Sequence, residues 1–143
     1  MQPGTRFFPT MEPRRACSRP LLASRVQAGF PSPADDYIDR ALDLNEELIK
    51  HPAATFFVRA TGDSMVPGGI HDGDLLVVDR SRAAEDGSVV IAVVDGELTL
   101  KRLKLNGDHP VLAPDNRGHA PIRITQEIEA TIWGVVTWVI HQV

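Results

Sequence analysis

Residues 88–105 read SVVIAVVDGELTLKRLKL, and this stretch decides the predicted fold. Two runs of apolar and β-branched residues, Ser88–Val94 and Leu98–Leu105, lie on either side of Asp95-Gly96. Asp-Gly favours the positive φ angles of a two-residue type I′ turn, whose twist suits antiparallel strands. The stretch therefore predicts a β-hairpin.

The same pattern recurs on both sides of the hairpin. Four further runs are rich in Val, Ile, Leu, Phe and Trp, and each is bounded by Gly, Pro, Asp or Asn. These runs are Thr55–Ala60, Asp74–Asp79, Pro110–Ala113 and Ile128–Ile140. About six strands at this spacing predict a mostly β domain, built as a curved sheet or partial barrel.

The last of these strands is apolar on both faces. Ile132, Val136, Trp138 and Ile140 alternate with further apolar residues, whereas a half-exposed strand alternates with polar ones. One face is expected to cover the core, and the other to contact the N-terminal segment, a helix or a second subunit. A contact within the chain and a dimer interface both remain open.

The first 34 residues differ from the rest of the 143-residue chain. They contain five arginines, one acidic residue and six of the eleven prolines, whereas residues 35–143 contain ten basic and eighteen acidic residues. Dense proline prevents long helices and removes sheet donors, so we expect little regular structure there. The sequence predicts a basic, flexible arm over residues 1–34 and an acidic β domain over residues 35–143.

Two short helical turns are expected where the arm joins the domain. Ser32-Pro33 provides a capping hydroxyl and a proline at the first helical position, and apolar residues recur at helical spacing from Tyr37 to Leu42. Asp43–Glu46 forms a second capping pattern, and the helix that it begins is expected to end before Pro52.

Composition excludes several classes of protein. The chain is 43% hydrophobic and 24% charged, and its apolar runs are shorter than the roughly 18 residues of a membrane helix, so we expect a cytoplasmic protein. A net charge of −4 argues against a simple basic nucleic-acid binder. The single cysteine, Cys17, offers no internal disulfide and no zinc site. His71, His109, His119 and His141 are scattered without metal-ligand spacing, so neither a metal nor a cofactor is expected.

A serine follows the strand Thr55–Ala60, within Gly62-Asp63-Ser64-Met65. A serine at a strand end can be held exposed, where the backbone N–H groups of Asp63 and Ser64 can bind an oxyanion. Gly-Asp-Ser is also an ordinary turn sequence. The motif alone therefore allows both a nucleophile and a structural turn.

A lysine on the second strand of the hairpin is the other candidate. Lys101 shares its strand face with Leu103 and Leu105, so it is expected to point toward the apolar side. Apolar surroundings lower the pKa of a lysine, and a neutral lysine can act as general base for a serine hydroxyl. A lysine in this position can equally extend from the sheet edge to solvent.

Six blocks of sequence, in register, resemble the UmuD-like branch of the LexA-like self-cleaving serine–lysine peptidases. The resemblance runs from about Val26 to Val139, with Ser64 and Lys101 thirty-seven positions apart. The blocks are Phe30–Ala34, Asp43–Asn45, Gly62–Met65, Gly68–Ile70, Asp72–Leu76 and Val94–Glu97. The resemblance implies the curved, signal-peptidase-like sheet of that family, with a flexible N-terminal arm and short helices.

The resemblance also assigns roles to residues. Ser64 matches the family's nucleophile and Lys101 its general base, and the scissile bond falls between Ala28 and Gly29. Alanine replaces the cysteine of the best-known pattern before that bond, but Ala-Gly also serves as a cleavage dipeptide among LexA-type repressors. Two small residues let the backbone of the arm lie close to Ser64 without a clash.

The function that the resemblance implies belongs to the SOS response to DNA damage. A RecA filament on single-stranded DNA stimulates self-cleavage, and the shortened homodimer joins a UmuC-type polymerase in error-prone translesion synthesis. Only 28 residues precede the expected bond, so we expect no helix-turn-helix domain and no direct sequence-specific DNA binding.

Three alternatives remain at this point. A signal-peptidase-like enzyme would use the same dyad on other substrates, although no membrane anchor is expected. A polymerase-binding module would keep the fold without cleaving itself. A LexA-like regulator without a DNA-binding domain would act by pairing with DNA-binding proteins.

Overall fold

The computed structural model describes residues 17–23, 25–26 and 38–143, which belong to two compact units divided between Glu47 and Leu48. In the first unit, strand β1 (Ser18–Leu22) pairs antiparallel with strand β2 (Ile38–Asp43). Within the described ranges, none of the helices is long and apolar enough to cross a membrane.

Two expectations for this unit were wrong. The spacing from Tyr37 to Leu42 predicted a helical turn, but Ile38–Asp43 is a strand, and the proline-rich arm contains a strand at Ser18–Leu22. Pairing between segments about twenty residues apart satisfies backbone groups that local spacing cannot account for. Because residues 27–37 lie outside the described residues, the predicted boundary between arm and domain at residue 34 stays a prediction.

The second predicted helical turn is confirmed. Helix α1 (Leu44–Leu48) begins directly after Asp43, whose carboxylate accepts a hydrogen bond from the backbone N–H of Asn45 at 2.9 Å. This bond satisfies one of the N–H groups that the first turn of a helix leaves without an internal partner. An ion pair between Arg40 and Glu47, at 3.2 Å, links β2 to the helix.

The second unit is a seven-stranded antiparallel sheet in the order β3-β4-β9-β5-β6-β7-β8. Its strands are β3 (Thr55–Arg59), β4 (Leu75–Asp79), β5 (Val89–Val94), β6 (Glu97–Lys104), β7 (Val111–Ala113), β8 (Ile122–Arg123) and β9 (Ala130–Ile140). Two 3₁₀ turns, Pro52–Ala54 and Val66–Gly68, lie before and after β3. The mostly β fold is confirmed, and the sheet is open rather than a closed barrel. The two-residue strand β8 was missed because it is too short to show an alternating pattern.

The hairpin that opens the sequence analysis is present as predicted. Val94 pairs with Glu97, and the two residues between them have positive φ angles, 48° for Asp95 and 83° for Gly96. These are the angles that a type I′ turn requires at both central positions. The register that this turn sets places Lys101 opposite Val90.

Strand β9 is apolar on both faces because it is a central strand that contributes to two hydrophobic clusters. It pairs with β4 on one side and with β5 on the other. Trp133, Val136 and Val139 pack against the first cluster, whose buried members are Ala60, Met65, Ile70, Leu76, Val78 and Ile91. The second cluster consists of Val90, Ala92, Leu103, Leu112 and Val135, with Ile132 beside it. Packing within the described residues therefore explains part of this strand, whereas Trp138 and Ile140 near its end are each 43% exposed.

A buried carboxylate ends strand β4. Asp79 is 5% exposed and accepts hydrogen bonds from the backbone N–H and hydroxyl of Ser81, at 2.8 and 2.6 Å. Its other oxygen lies 2.5 Å from Nδ1 of His51. Burial opposes ionisation, but the bonds from Ser81 and His51 outweigh it and lower the pKa of Asp79 to about 2.

Gly134 in β9 is predicted to tolerate no side chain. A Cβ there would lie 2.5 Å from Cγ1 of Val78, a fully buried, β-branched residue that cannot move aside. Gly134→Ala should lower the free energy of unfolding by about 1–3 kcal/mol, as overpacked cores do. The matched control is Gly107→Ala, whose Cβ would come no closer than 3.8 Å to another atom, and urea unfolding should show almost no effect. Equal stability of the two variants would contradict this account of β9 packing.

Asp79 is predicted to make the fold sensitive to acid. Its pKa is about 2 in the fold against 3.8 ordinarily, so the unfolded chain binds its proton first as the pH falls. The stabilisation, about 2 kcal/mol, is fully present above pH ~4 and is lost as the pH falls toward ~2. Urea unfolding at several pH values should show this loss for the wild type and a smaller one for Asp79→Asn. Parallel losses in both proteins would refute the assignment.

Candidate active site

Ser64 lies in the loop between β3 and the Val66–Gly68 turn, and backbone bonds fix both ends of this loop. Gly62 has a φ of +93°, and its N–H donates to the Asp72 carboxylate at 2.8 Å. After Ser64, the side chain of Met65 is 2% exposed in the first hydrophobic cluster, and its carbonyl accepts the N–H of Ile70 at 3.2 Å. The half-buried Ser64 thus lies between the turn at Gly62 and the buried side chain of Met65.

The segment that follows β7 contacts the same loop. The backbone N–H of Asn116 donates to the Ser64 carbonyl at 2.8 Å, and its side-chain amide donates to the Asp63 carbonyl at 3.4 Å. His119 Nε2 lies 2.8 Å from the Asp63 carboxylate. Sequence reasoning missed Asn116 and His119 because more than fifty residues separate them from Asp63. The glycine-rich motif itself carries no signal for these partners.

A bidentate ion pair between Arg102 and Asp115 lies beside the turn that follows Ser64. Arg102 Nε and Nη2 each donate to an Asp115 carboxylate oxygen at 2.9 Å, and Arg102 Nη1 donates to the Gly87 carbonyl at 2.7 Å. The pairing raises the pKa of Arg102 and lowers that of Asp115. A Cβ at Gly68 would collide with the Asp115 carboxylate, so glycine is needed for this close approach. The pair therefore packs closely against Gly68, in the turn that follows Ser64.

Lys101 is half-buried on β6, as the alternation of that strand predicted. Its cross-strand partner Val90 is fully buried, and Leu103 on the same face is 5% exposed. Leu105, expected on this face, follows the end of β6 and is exposed instead. Nζ of Lys101 donates to the Leu100 carbonyl at 3.2 Å. Burial lowers the pKa of Lys101 below 10.5, the direction that a general base requires.

Among the described residues no hydrogen bond joins Ser64 to Lys101, and the elements that carry them are linked through Asn116, Asp115 and Arg102. Within the described part of the chain, the Ser64 hydroxyl forms no hydrogen bond, and neither does the backbone N–H of Asp63 or Ser64. The roles of Ser64 and Lys101, and of the two N–H groups as an oxyanion site, stay predictions. Ala28 and Gly29, the predicted cleavage dipeptide, lie outside the described residues.

An apolar cleft of about 240 Å³ lies between the end of β3 and strand β6. Ala60 and Thr61 line it just before the Ser64 loop, and Thr99 and Leu100 line it just before Lys101. The other lining residues are Val58, Arg59, Leu76, Ile91 and Leu98. Apolar walls close to both candidates are suited to an extended segment with small or apolar side chains.

The sequence of this chain matches a known protein family. The peptidase S24-like family matches residues 20–137. The chain belongs to the peptidase S24-like family. Ser64, Lys101 and the Ala28-Gly29 dipeptide all fall within this range of residues. The similarity to LexA-like self-cleaving serine–lysine peptidases that the sequence indicates is thus confirmed for the family.

Relatives cover most of this S24-like chain. Protein ImpA of Escherichia coli is 52% identical over 124 residues, 87% of this chain and 84% of that protein. Protein SamA of Salmonella typhimurium strain LT2 is 48% identical over 134 residues, 94% of this chain and 92% of that protein. LexA repressor 1 of Xanthomonas axonopodis pv. citri is 42% identical over 123 residues, which are 60% of the repressor.

Proposed function

We propose that this chain is a serine endopeptidase that cleaves its own Ala28–Gly29 bond, with Ser64 as nucleophile and Lys101 as general base. One observation carries the proposal. In a chain of the peptidase S24-like family, the Ser64 loop is bonded to the segment after β7, and Asp115 of that segment pairs with Arg102, the neighbour of a half-buried Lys101. No metal or cofactor enters this chemistry.

The reaction follows from these two side chains. Neutral Lys101 Nζ takes the proton of the Ser64 hydroxyl as Oγ attacks the carbonyl carbon of Ala28, and the oxyanion forms hydrogen bonds with the backbone N–H groups of Asp63 and Ser64. The C–N bond then breaks, and Lys101 returns the proton to the leaving amine of Gly29. A water molecule hydrolyses the Ala28 ester, with Lys101 taking and returning one proton, and Ser64 is regenerated.

The lowered pKa of Lys101 is what makes it a useful base. A free lysine has a pKa of about 10.4, so only about 0.04% is neutral at pH 7. Removing water from the ammonium lowers the pKa and raises that fraction. A peptide segment seated in the cleft would exclude more water, so the docked state is the reactive one.

The pairing of β1 with β2 supports the choice of bond. These strands are antiparallel, with Ser18 opposite Asp43, and the segment that connects them contains Ala28-Gly29. The proposed bond therefore lies in the connection between two hydrogen-bonded strands. Its cleavage would break the covalent link between β1 and β2 and give a product that begins at Gly29.

We extend the proposal to the response that the UmuD-like resemblance implies. A RecA filament on single-stranded DNA stimulates the cleavage by favouring the docked segment, and it supplies no catalytic group. The shortened homodimer then acts with a UmuC-type polymerase in translesion synthesis in the cytoplasm. The acidic composition of residues 35–143 suits an indirect contact with DNA.

Substitution of either member of the dyad is predicted to abolish cleavage. The full chain is incubated with RecA, single-stranded DNA and ATP, and the products are weighed by mass spectrometry. The wild type should give a product beginning at Gly29, whereas Ser64→Ala, Lys101→Ala and the double variant should all stay intact, because the two residues act as one unit. Lys104→Ala, an exposed lysine on the same strand, is the matched control and should cleave normally.

Circular dichroism of each variant shows that the fold is intact. Normal processing of Ser64→Ala would refute the nucleophile, and a product that begins beyond Ser32 would refute the bond. An intact wild type, with or without RecA, would favour the non-cleaving polymerase-binding module.

The rate of cleavage without RecA is predicted to rise with pH. Only the neutral amine can accept the serine proton, so below the pKa of Lys101 the rate should rise about tenfold per pH unit. It should level off below pH 10.5, because burial lowers that pKa. Rates are measured from about pH 6 to 11, with the fold monitored at each point. A flat profile, or a midpoint near 6.5 as for histidine, would remove Lys101 from the role of base.

A further inference from the structure

Three side chains that the proposed reaction does not use converge at one end of β4. Leu75 pairs with Ile140, so the antiparallel register places Asp74 and His141 next to each other just beyond that pair. His71 precedes Asp74 in a tight turn, in which the Asp74 N–H donates to the His71 carbonyl at 3.1 Å. The sheet thus brings His141 next to Asp74, which is 67 positions earlier in the chain, and the turn adds His71.

The donor atoms of these residues form a compact group. His141 Nδ1 lies 2.5 Å from one Asp74 oxygen, and His71 Nδ1 lies 3.8 Å from the other. The ligand atoms that the three residues offer all lie within 4.8 Å of one another. The sequence-based expectation of scattered histidines was therefore wrong for His71 and His141, because β9 returns to β4 seventy positions later.

The Asp74 carboxylate is held in position, whereas the imidazole rings of His71 and His141 are partly exposed to solvent. The Asp74 side chain is 2% exposed, and the backbone N–H of His71 donates to its carboxylate at 2.8 Å. The imidazoles of His71 and His141 are 49% and 51% exposed, so each ring can rotate without disturbing the core. A tetrahedral zinc ion with ligands at about 2.0–2.1 Å places donor atoms roughly 3.4 Å apart. Small rotations of the exposed rings reach this spacing.

We propose that His71, Asp74 and His141 bind a divalent transition-metal ion of the zinc class, with water in the fourth position. Two imidazole nitrogens and one carboxylate oxygen form a donor set that zinc favours, whereas magnesium and calcium prefer oxygen ligands alone. The site is separate from Ser64 and Lys101, and the proposal does not depend on self-cleavage.

The proposed metal site lies next to the turn that is hydrogen-bonded to Ala60 and Gly62, just before Ser64. Asp72, in the turn between His71 and Asp74, accepts the N–H of Gly62, and the Asp74 carbonyl accepts the N–H of Ala60. An ion bound here would join the end of β9 to the turn that supports the Ser64 loop. Because the ion binds only the folded arrangement, it should raise the melting temperature.

The test titrates the metal-free full chain with Zn²⁺ by calorimetry. The wild type should bind one ion, and His71→Ala and His141→Ala should each weaken this binding by at least about 100-fold, more than the loss of an outer partner costs. His109→Ala, an exposed histidine outside the cluster, is the matched control and should bind like the wild type. Zn²⁺ should raise the melting temperature of the wild type and of His109→Ala only, and Mg²⁺ should leave it unchanged.

Two results would overturn the proposal. The first is a wild type that binds no Zn²⁺, which would leave the cluster as a hydrogen-bonded group only. The second is binding that survives in His71→Ala or in His141→Ala, because the ion would then have other ligands, such as Cys17. Circular dichroism of each variant confirms the fold, and both substituted rings are half-exposed. Neither result bears on whether the chain cleaves itself.

Discussion

The second unit depends on the hydrogen bonds that β9 makes with β4 on one side and β5 on the other. β3 and β4 pair with each other, and β5 to β8 pair in succession, so β9 is what joins these two groups into one sheet. Its side chains also pack against both hydrophobic clusters, and Gly134 gives Val78 the room that this central position demands. The joining strand comes last in the chain, so hairpins can form locally, but the completed core waits for long-range pairing.

The sequence predicted what is local and missed what is long-range. Asp95-Gly96 and the apolar runs around it predicted the hairpin with its register, because turn chemistry and alternation act over a few residues. The spacing from Tyr37 to Leu42 predicted a helix that is a strand, because a partner about twenty residues away decided the outcome. In the candidate site, the half-burial of Lys101 followed from alternation. No sequence pattern predicted the bonds of Asn116 to Ser64 and of Asp115 to Arg102. Both bonds depend on where strand β7 ends, far from Ser64 in the sequence.

The Ser64 loop has little regular structure of its own and is held from two sides. On one side, Asp72 accepts the Gly62 N–H, and this aspartate belongs to the turn that His71 begins. On the other side, Asn116 donates to the Ser64 carbonyl. Loops in such a position carry function because rigid neighbours place them while their own side chains stay free. The bonds from Asn116 and to Asp72 use the backbone of the loop, and His119 contacts the side chain of Asp63, so among the described residues none of these bonds involves the Ser64 hydroxyl.

Adjacent cations on β6 have opposite environments, and this contrast explains why one is structural and the other a candidate base. Alternation turns Arg102 toward Asp115, and the ion pair stabilises its charge and raises its pKa. Lys101 lies on the face of Val90, and among the described residues no carboxylate forms an ion pair with it. An acidic partner would stabilise the ammonium and cancel the effect of burial. Asp115 therefore pairs with Arg102 rather than with Lys101, and burial lowers the pKa of Lys101 toward its neutral form without an opposing carboxylate.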